Sequence, residues 1–401
     1  MTDLRTSLGP IRHLSRHSRW CAALLALAVL LAAVTSSAQP PTGQPYTFTV
    51  LEASPTGCCT SPKAINNVGG VIGDYHVDPD GPSHSFIWNV DFYGLFDLPF
   101  GASGGISGVN DSGDVVGSFS ENGGPTTGFL YSDNTFVTIT VPGATATFVT
   151  DINNRGQIVG AYLGSDDVVH GFLRATDGSF VLFDVPDSLH TSANGINDAG
   201  LIVGEHSGPV FVGNRGFVRN VDGSFMAFDA PFSATSTVLH GVNNLGQVVG
   251  SYATHGLDTP VHGFVGDVNG SFTSIDPPRS VRTILRGIND SGDLTGEYLD
   301  GETGVMYGFV ATLSVRSLVS ALIGDVVALN LKAGLSNSFA AKLGAALAVI
   351  DDQKEQNDGA ALNAMYAFIN AVQAQRGKGL TDVQADSLMS SAQAAIALLD
   401  R

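Results

Sequence analysis

The chain writes one ten-residue phrase six times: "AINNVGGVIG" (64–73), "GVNDSGDVVG" (108–117), "DINNRGQIVG" (151–160), "GINDAGLIVG" (195–204), "GVNNLGQVVG" (241–250) and "GINDSGDLTG" (287–296). The first apolar residues of the phrase, Ile65, Val109, Ile152, Ile196, Val242 and Ile288, are 44, 43, 44, 46 and 46 residues apart. A period in the forties, filled with short alternating apolar runs, predicts propeller blades rather than helical repeats. The 49 glycines agree, since they suit many short strands joined by turns.

Two further phrases complete each unit. "HSFIW", "TGFLY", "HGFLR", "RGFVR", "HGFVG" and "YGFVA" each place a phenylalanine 20 to 22 residues after that first apolar residue, and "LFDLPFGA", "TITVPGA", "LFDVPDS", "AFDAPFS" and "SIDPPRS" close units one to five. One unit therefore reads as four short antiparallel strands with polar turns. Asn66, Asn110, Asn153, Asn197, Asn243 and Asn289 recur in every copy, and an Asn side chain there bonds the backbone two residues on to start a tight turn. The glycine three residues later supplies a positive φ. The second glycine (Gly73, Gly117, Gly160, Gly204, Gly250, Gly296) is expected to let neighbouring sheets approach, and Phe86, Phe129, Phe172, Phe217, Phe264 and Phe309 to wedge between blades. Read as a calcium loop, "NDSGD" is short of oxygens, because three copies hold only Asn-Asn at the turn. The phrase carries shape.

The sixth unit lacks its closing strand after "YGFVATL", and "FTVLEASP" (48–55) matches the missing pattern. A strand from 46–55 completing the last blade would remove both open edges. The expected fold is multidomain: an all-β six-bladed β-propeller with four-stranded blades over 39–313, followed by a small all-α helical domain over 314–401. In the tail, four segments (318–331, 337–350, 359–375, 381–399) show apolar residues at helical steps. Thr381 and Gln384 form a capping box, and Met365 and Phe368 are core positions.

The pattern "GINxxGxIVGxY … HGF … FxxFDVPGA" over about 46–312 resembles the HAF-type extracellular repeat of secreted bacterial proteins. "AFINAVQAQRGKGLT" and its surroundings (316–399) are similar to the FIMAH-type helical module of exported proteins. The resemblances imply a secreted repeat module with an accessory domain, and supply no catalytic residues to carry over.

The first 38 residues read as a signal peptide: Arg5, Arg12, Arg16 and Arg19, an apolar run at 21–34, and "SSA" before a cleavage after Ala38. This predicts a secreted or periplasmic chain with no membrane insertion after cleavage. Residues 1–38 carry four arginines and one aspartate, so their loss takes the net charge from −18 to −21. Such a chain repels phosphate backbones, which argues against nucleic acid as a partner. Cys58 and Cys59 are adjacent, too close for an unstrained bridge, so no disulfide framework and no stabilising role is expected.

No G-x-S-x-G or H-E-x-x-H motif occurs. His84, His170 and His262 share one position in alternate units, but third strands lie too far from the axis for their rings to meet on one zinc ion. The candidate ligand-binding residues are acidic ones in the loops between second and third strands: Asp78, Asp80, Asp166, Asp167, Asp300 and Glu302, with weak Ca2+ binding and no other cofactor. The sequence thus predicts a monomeric, non-enzymatic binding or surface-interaction protein for an extracellular glycan or protein. The alternative is an extracellular glycan-active hydrolase or lyase, using loops such as 186–192 and 277–283.

Overall fold

The computed structural model describes residues 46–51, 60–76, 83–89, 92–96, 98, 103–121, 123–208, 213–230, 235–254, 260–268, 272–351 and 358–399. The signal segment, Cys58 and Cys59, Asp78 and Asp80, and residues 52–55 of the expected closing strand lie outside them.

The first described element is β1 (Tyr46–Leu51), followed by β2 (Thr60–Ile65), β3 (Val71–His76), β4 (Ser83–Asn89) and β5 (Phe92–Phe96). The second unit is β6 (Ser103–Val109), β7 (Val115–Ser120), β8 (Thr127–Ser132) and β9 (Thr135–Ile139). The third is β10 (Ala146–Ile152), β11 (Ile158–Leu163), β12 (Val169–Arg174) and β13 (Phe180–Phe183). The fourth is β14 (His190–Ile196), β15 (Ile202–Ser207), β16 (Arg215–Arg219) and β17 (Phe225–Phe228). Then come β18 (Ser236–Val242), β19 (Gln247–Ala253), β20 (Val261–Asp267) and β21 (Phe272–Ile275), followed by β22 (Ser280–Ile288), β23 (Leu294–Asp300) and β24 (Met306–Leu313). Within each unit successive strands pair antiparallel, so the molecule is a β-propeller with four-stranded blades.

The expected six separate blades need one correction. Four units are separate four-stranded sheets, whereas the last seven strands, β18 to β24, form one continuous eight-stranded sheet together with β1. The cause is the inner strand β22, nine residues long, whose start reaches β20 in a parallel pair between Val261 and Arg282. At the end of this sheet β1 pairs antiparallel with β24, from Tyr46 opposite Leu313 to Leu51 opposite Gly308. The N-terminal strand thus supplies the edge partner that the sixth unit lacks.

The apolar pattern explains why the units stack. The second strand of each of the first five units carries an adjacent apolar pair (Leu294 and Thr295 stand there in the sixth), and period-two alternation sends its members to opposite faces. Val115 packs with Ile72, Ile106 and Phe129, while its neighbour Val116 packs with Ile152, Ile158 and Phe172. All six repeat phenylalanines are essentially buried, each in a different core between successive units. Burial of one such ring stabilises by about 2–3 kcal/mol. The first glycines have φ of +75° to +88°, as the turn demands. The second glycines serve a closer purpose than expected. A Cβ at Gly204 would strike the Ser192 carbonyl and the Phe217 ring, so the glycine admits strands of its own blade, not a neighbouring sheet.

Four helices follow: α1 (Val315–Ala328), α2 (Ala333–Asp351), α3 (Asp358–Gln375) and α4 (Asp382–Leu399). They enclose a separate core containing Phe339, Leu343, Met365, Phe368 and Leu388. Thr381 and Gln384 exchange hydrogen bonds (2.9 and 3.2 Å) as a capping box. By length and apolarity alone α2 could cross a membrane, yet Phe339, Leu343 and Ala346 on it are part of this core. The bundle joins the propeller through Ser314, which caps α1, and through a hydroxyl contact between Thr47 and Ser317 (3.1 Å).

Candidate functional site

The repeated asparagine does more than start its own turn. In each copy Oδ1 accepts the backbone N–H four residues on, as from Gly70 to Asn66 (2.7 Å). Nδ2 meanwhile donates to the backbone carbonyl of the same Asn in the next unit. The chain of bonds runs 66 to 110, 110 to 153, 153 to 197, 197 to 243, 243 to 289, and from Asn289 back to Asn66 (2.9–3.4 Å). Six units are therefore tied into a closed ring by one residue type. The next position forms an outer collar that alternates strictly: Asn67, Asp111, Asn154, Asp198, Asn244, Asp290. There Asp198 accepts from the Nδ2 of Asn154 (3.0 Å) and of Asn244 (2.9 Å), so collar carboxylates are held by amides.

Above the ring every inner strand carries a β-bulge, and the bulged residues are Lys63, Ser107, Thr150, Asn194, His240 and Arg286. A bulge re-aims one side chain without disturbing the rest of the ladder. All six line a narrow central space of about 90 Å³. They divide into two halves. Ser107, Thr150 and Asn194 each donate to a carbonyl of the next unit's inner strand, those of Val149 (2.7 Å), Ala193 (2.8 Å) and Leu239 (2.9 Å). Lys63, His240 and Arg286, from the three units across the chain junction, make no such link among the described residues. Lys63 Nζ donates to the Ser61 hydroxyl (2.8 Å), His240 Nε2 meets the Ser251 hydroxyl (3.3 Å), and Arg286 Nη2 donates to Glu297 (2.7 Å).

Carboxylates flank this basic half. Burial alone would raise the Glu297 pKa, but Arg286, the Ser61 hydroxyl and Lys63 outweigh it and hold the carboxyl below its usual range. Burial raises Glu205, which accepts a hydrogen bond from Asn214. Asp74 is likewise raised by burial, although Lys63, the Ser85 hydroxyl and the Ile106 N–H oppose the shift. His240 is pushed well below its ordinary value by burial and by Arg286 and Lys63, and so is neutral at pH 7. Among the described residues, a second space of about 410 Å³ opens beside His240 towards the face of the loops between second and third strands. Its walls include Glu205, Ser236, Val238, Ser251, Tyr252, Arg282 and Ile284.

The acidic residues singled out from sequence have other surroundings. Asp166 and Asp167 are exposed on the rim, and Asp166 is held below its usual pKa first by the Val168 N–H. Asp300 does not project: it is fully buried, accepts the N–H groups of Glu302 and Thr303 (2.9 Å each), and pairs with Arg279 (2.9 Å). Glu302 is exposed and pairs with the same Arg279 (3.1 Å). Arg282, from the 277–283 loop, does reach the larger space. No group of three or more metal-ligating side chains occurs among the described residues. The repeated histidines pair within their blades: His170 with Asp184 (2.9 Å) and His262 with Asp276 (2.8 Å), while His84 stacks on Tyr75. The bulge residues do not stand out in the sequence, because they lie outside the repeated phrases. Their signal is the reverse, a position just upstream of each fixed phrase whose residue type changes every time.

No protein-family model matches the chain, and no curated sequence matches it. Among solved structures, TolB from Acinetobacter baumannii aligns at 11% identity over 55% of each chain, with a TM-score of 0.44. TolB from Agrobacterium tumefaciens aligns at 13% identity over 64% of this chain and 91% of that one (TM-score 0.44). The Aleuria aurantia lectin in complex with Fucα1-6GlcNAc aligns at 11% over 63% and 94% (TM-score 0.40). The chain spans about half the length of the first of these. Likenesses at this level carry no functional argument.

Proposed function

We propose that this is a secreted, monomeric, non-enzymatic binding protein of the HAF-repeat kind with a FIMAH-like helical appendage, and that its ligand is an extracellular glycan or protein. The eight-stranded sheet acts as two blades, so the ring has six. The observation that carries the reading is the split between the halves of the channel. Three bulge residues hold neighbouring units together, whereas Lys63, His240 and Arg286 leave that structural duty: all three line the narrow central space, and His240 also lines the adjoining opening of small-ligand size. A rigid ring presenting a few variable polar groups is the usual layout of a recognition site. Asp166 and Asp167, on the same face as the opening, would form its acidic rim. Asp166 and Glu302 are already paired with His170 and Arg279, which leaves Asp167 the least engaged group for calcium at the rim.

The mature protein should be tested on a glycan array and in pull-downs from culture supernatant. Saturable retention of a ligand that is recovered intact supports the reading. One observation favours a glycan hydrolase or lyase instead: Glu205 and Glu297 both adjoin Arg286, and their pKa values are displaced in opposite directions, the pattern of an acid and base pair. Shortened or unsaturated glycan products would decide for the enzyme.

A further inference from the structure

Resting on that reading, we infer that the basic side of the channel holds the carboxylate of an acidic sugar between Lys63 and Arg286, with the sugar ring in the adjoining opening. The first ground is the condition of the two cations. They stand at the bulges of neighbouring units; burial opposes protonation of Lys63, Arg286 opposes it further, and Glu297 and Asp74 only partly offset the two. Among the described residues Lys63 has no carboxylate within ion-pair distance, and its ammonium has a single hydrogen bond, to Ser61. Arg286 keeps a buried Nε–H with no partner. Unused charged donors in a secluded space are costly unless an acceptor comes to them.

Charge then selects the acceptor. Glu297 bonds to Arg286 (2.7 Å) and to the Ser61 hydroxyl (2.5 Å), and so cancels one of the two positive charges. Asp74 and Glu205 also lie near the two cations, and accept hydrogen bonds from Ser85 and Asn214. With these carboxylates around the donors, a carboxylate monoanion suits the site better than a phosphate dianion, and the acidic chain as a whole repels polyanions. The body of the ligand follows from the wider space, which His240 joins to the narrow one by lining both. Ser236, Ser251 and Glu205 offer hydroxyl partners, while Val238, Ile284 and Tyr252 offer apolar wall for the C–H face of a ring.

The test is calorimetry at low salt on the mature protein with three probes: D-galacturonate, its neutral counterpart D-galactose, and acetate. Galacturonate should bind at least tenfold more tightly than either of the others. Lys63→Met should weaken it at least tenfold while leaving the melting temperature within a few degrees, and Lys63→Gln should show the same loss if the Met variant does not fold. Equal affinity for galactose overturns the carboxylate, equal affinity for acetate overturns the sugar, and an unaffected Lys63→Met variant overturns the site. If neutral glycans bind the array while galacturonate is ignored, this inference fails and the binding function stands. No retained ligand of any kind sinks both.

Discussion

At the scale of single residues, the same position does different work from unit to unit. Asp151 stands where four other units have Gly108, Gly195, Gly241 and Gly287. Its part-buried side chain accepts the N–H groups of Ile152 and Ile196 (2.9 Å each), and its pKa is pushed up to about 7 by burial despite them. A raised folded-state pKa stabilises most below the unfolded value near 3.8, and that contribution is lost as pH rises through about 7. The unfolding free energy of Asp151→Asn, measured against pH beside the parent, should therefore lack one component of decline between pH 4 and 8. Parallel curves would show that Asp151 titrates normally. Asn197 offers a second check. Replacing it by Ala strands the Leu201 N–H and the Asn243 carbonyl in a buried ring, at a cost of about 2–3 kcal/mol. A loss under 0.5 kcal/mol in denaturant unfolding would mean the ring bond contributes little.

Elements tell how far the sequence could be read. Strand type, the turn glycines, the closing strand and the helix cap at Thr381 were all legible, because each rests on a local rule of period, φ or capping. The parallel join between Val261 and Arg282 was not, since it depends on a few extra residues at the start of β22. Nor was Asp300, whose burial follows from Arg279 and a tight turn that one carboxylate among many does not announce. The bulges escaped for a similar reason: a varying residue just before a fixed phrase marks the position, but that it is a bulge shows only when two strands are laid side by side. The closing strand gives a prediction at this scale. Tyr46, Phe48 and Leu51 are buried, and Phe48 packs edge-on to Phe309 at 5.4 Å. A chain beginning at Ser61 should lose roughly 5–8 kcal/mol on burial alone and expose the edge of β24. Melting at the parent temperature would show that closure does not need it.

For the whole molecule, the arrangement separates holding together from recognition. The Asn ring and the Asn/Asp collar lie at one end of the channel, and the helical bundle is attached at that end, where Leu313 donates its N–H to Asp293 (3.3 Å). The larger opening faces the other way, between the fourth, fifth and sixth units. Shape is therefore shared by all six turns, and on the proposed reading the ligand is met by the three bulge residues that abandon the blade-to-blade link. The most direct test is a glycan array probed with the mature protein and with a Lys63→Ser, His240→Asn variant, which installs residue types found at the bulges of other units and leaves the Arg286–Glu297 pair intact. The account predicts at least a tenfold loss of signal with the melting temperature within a few degrees of the parent. Full signal from the variant, or none from either protein, would contradict it.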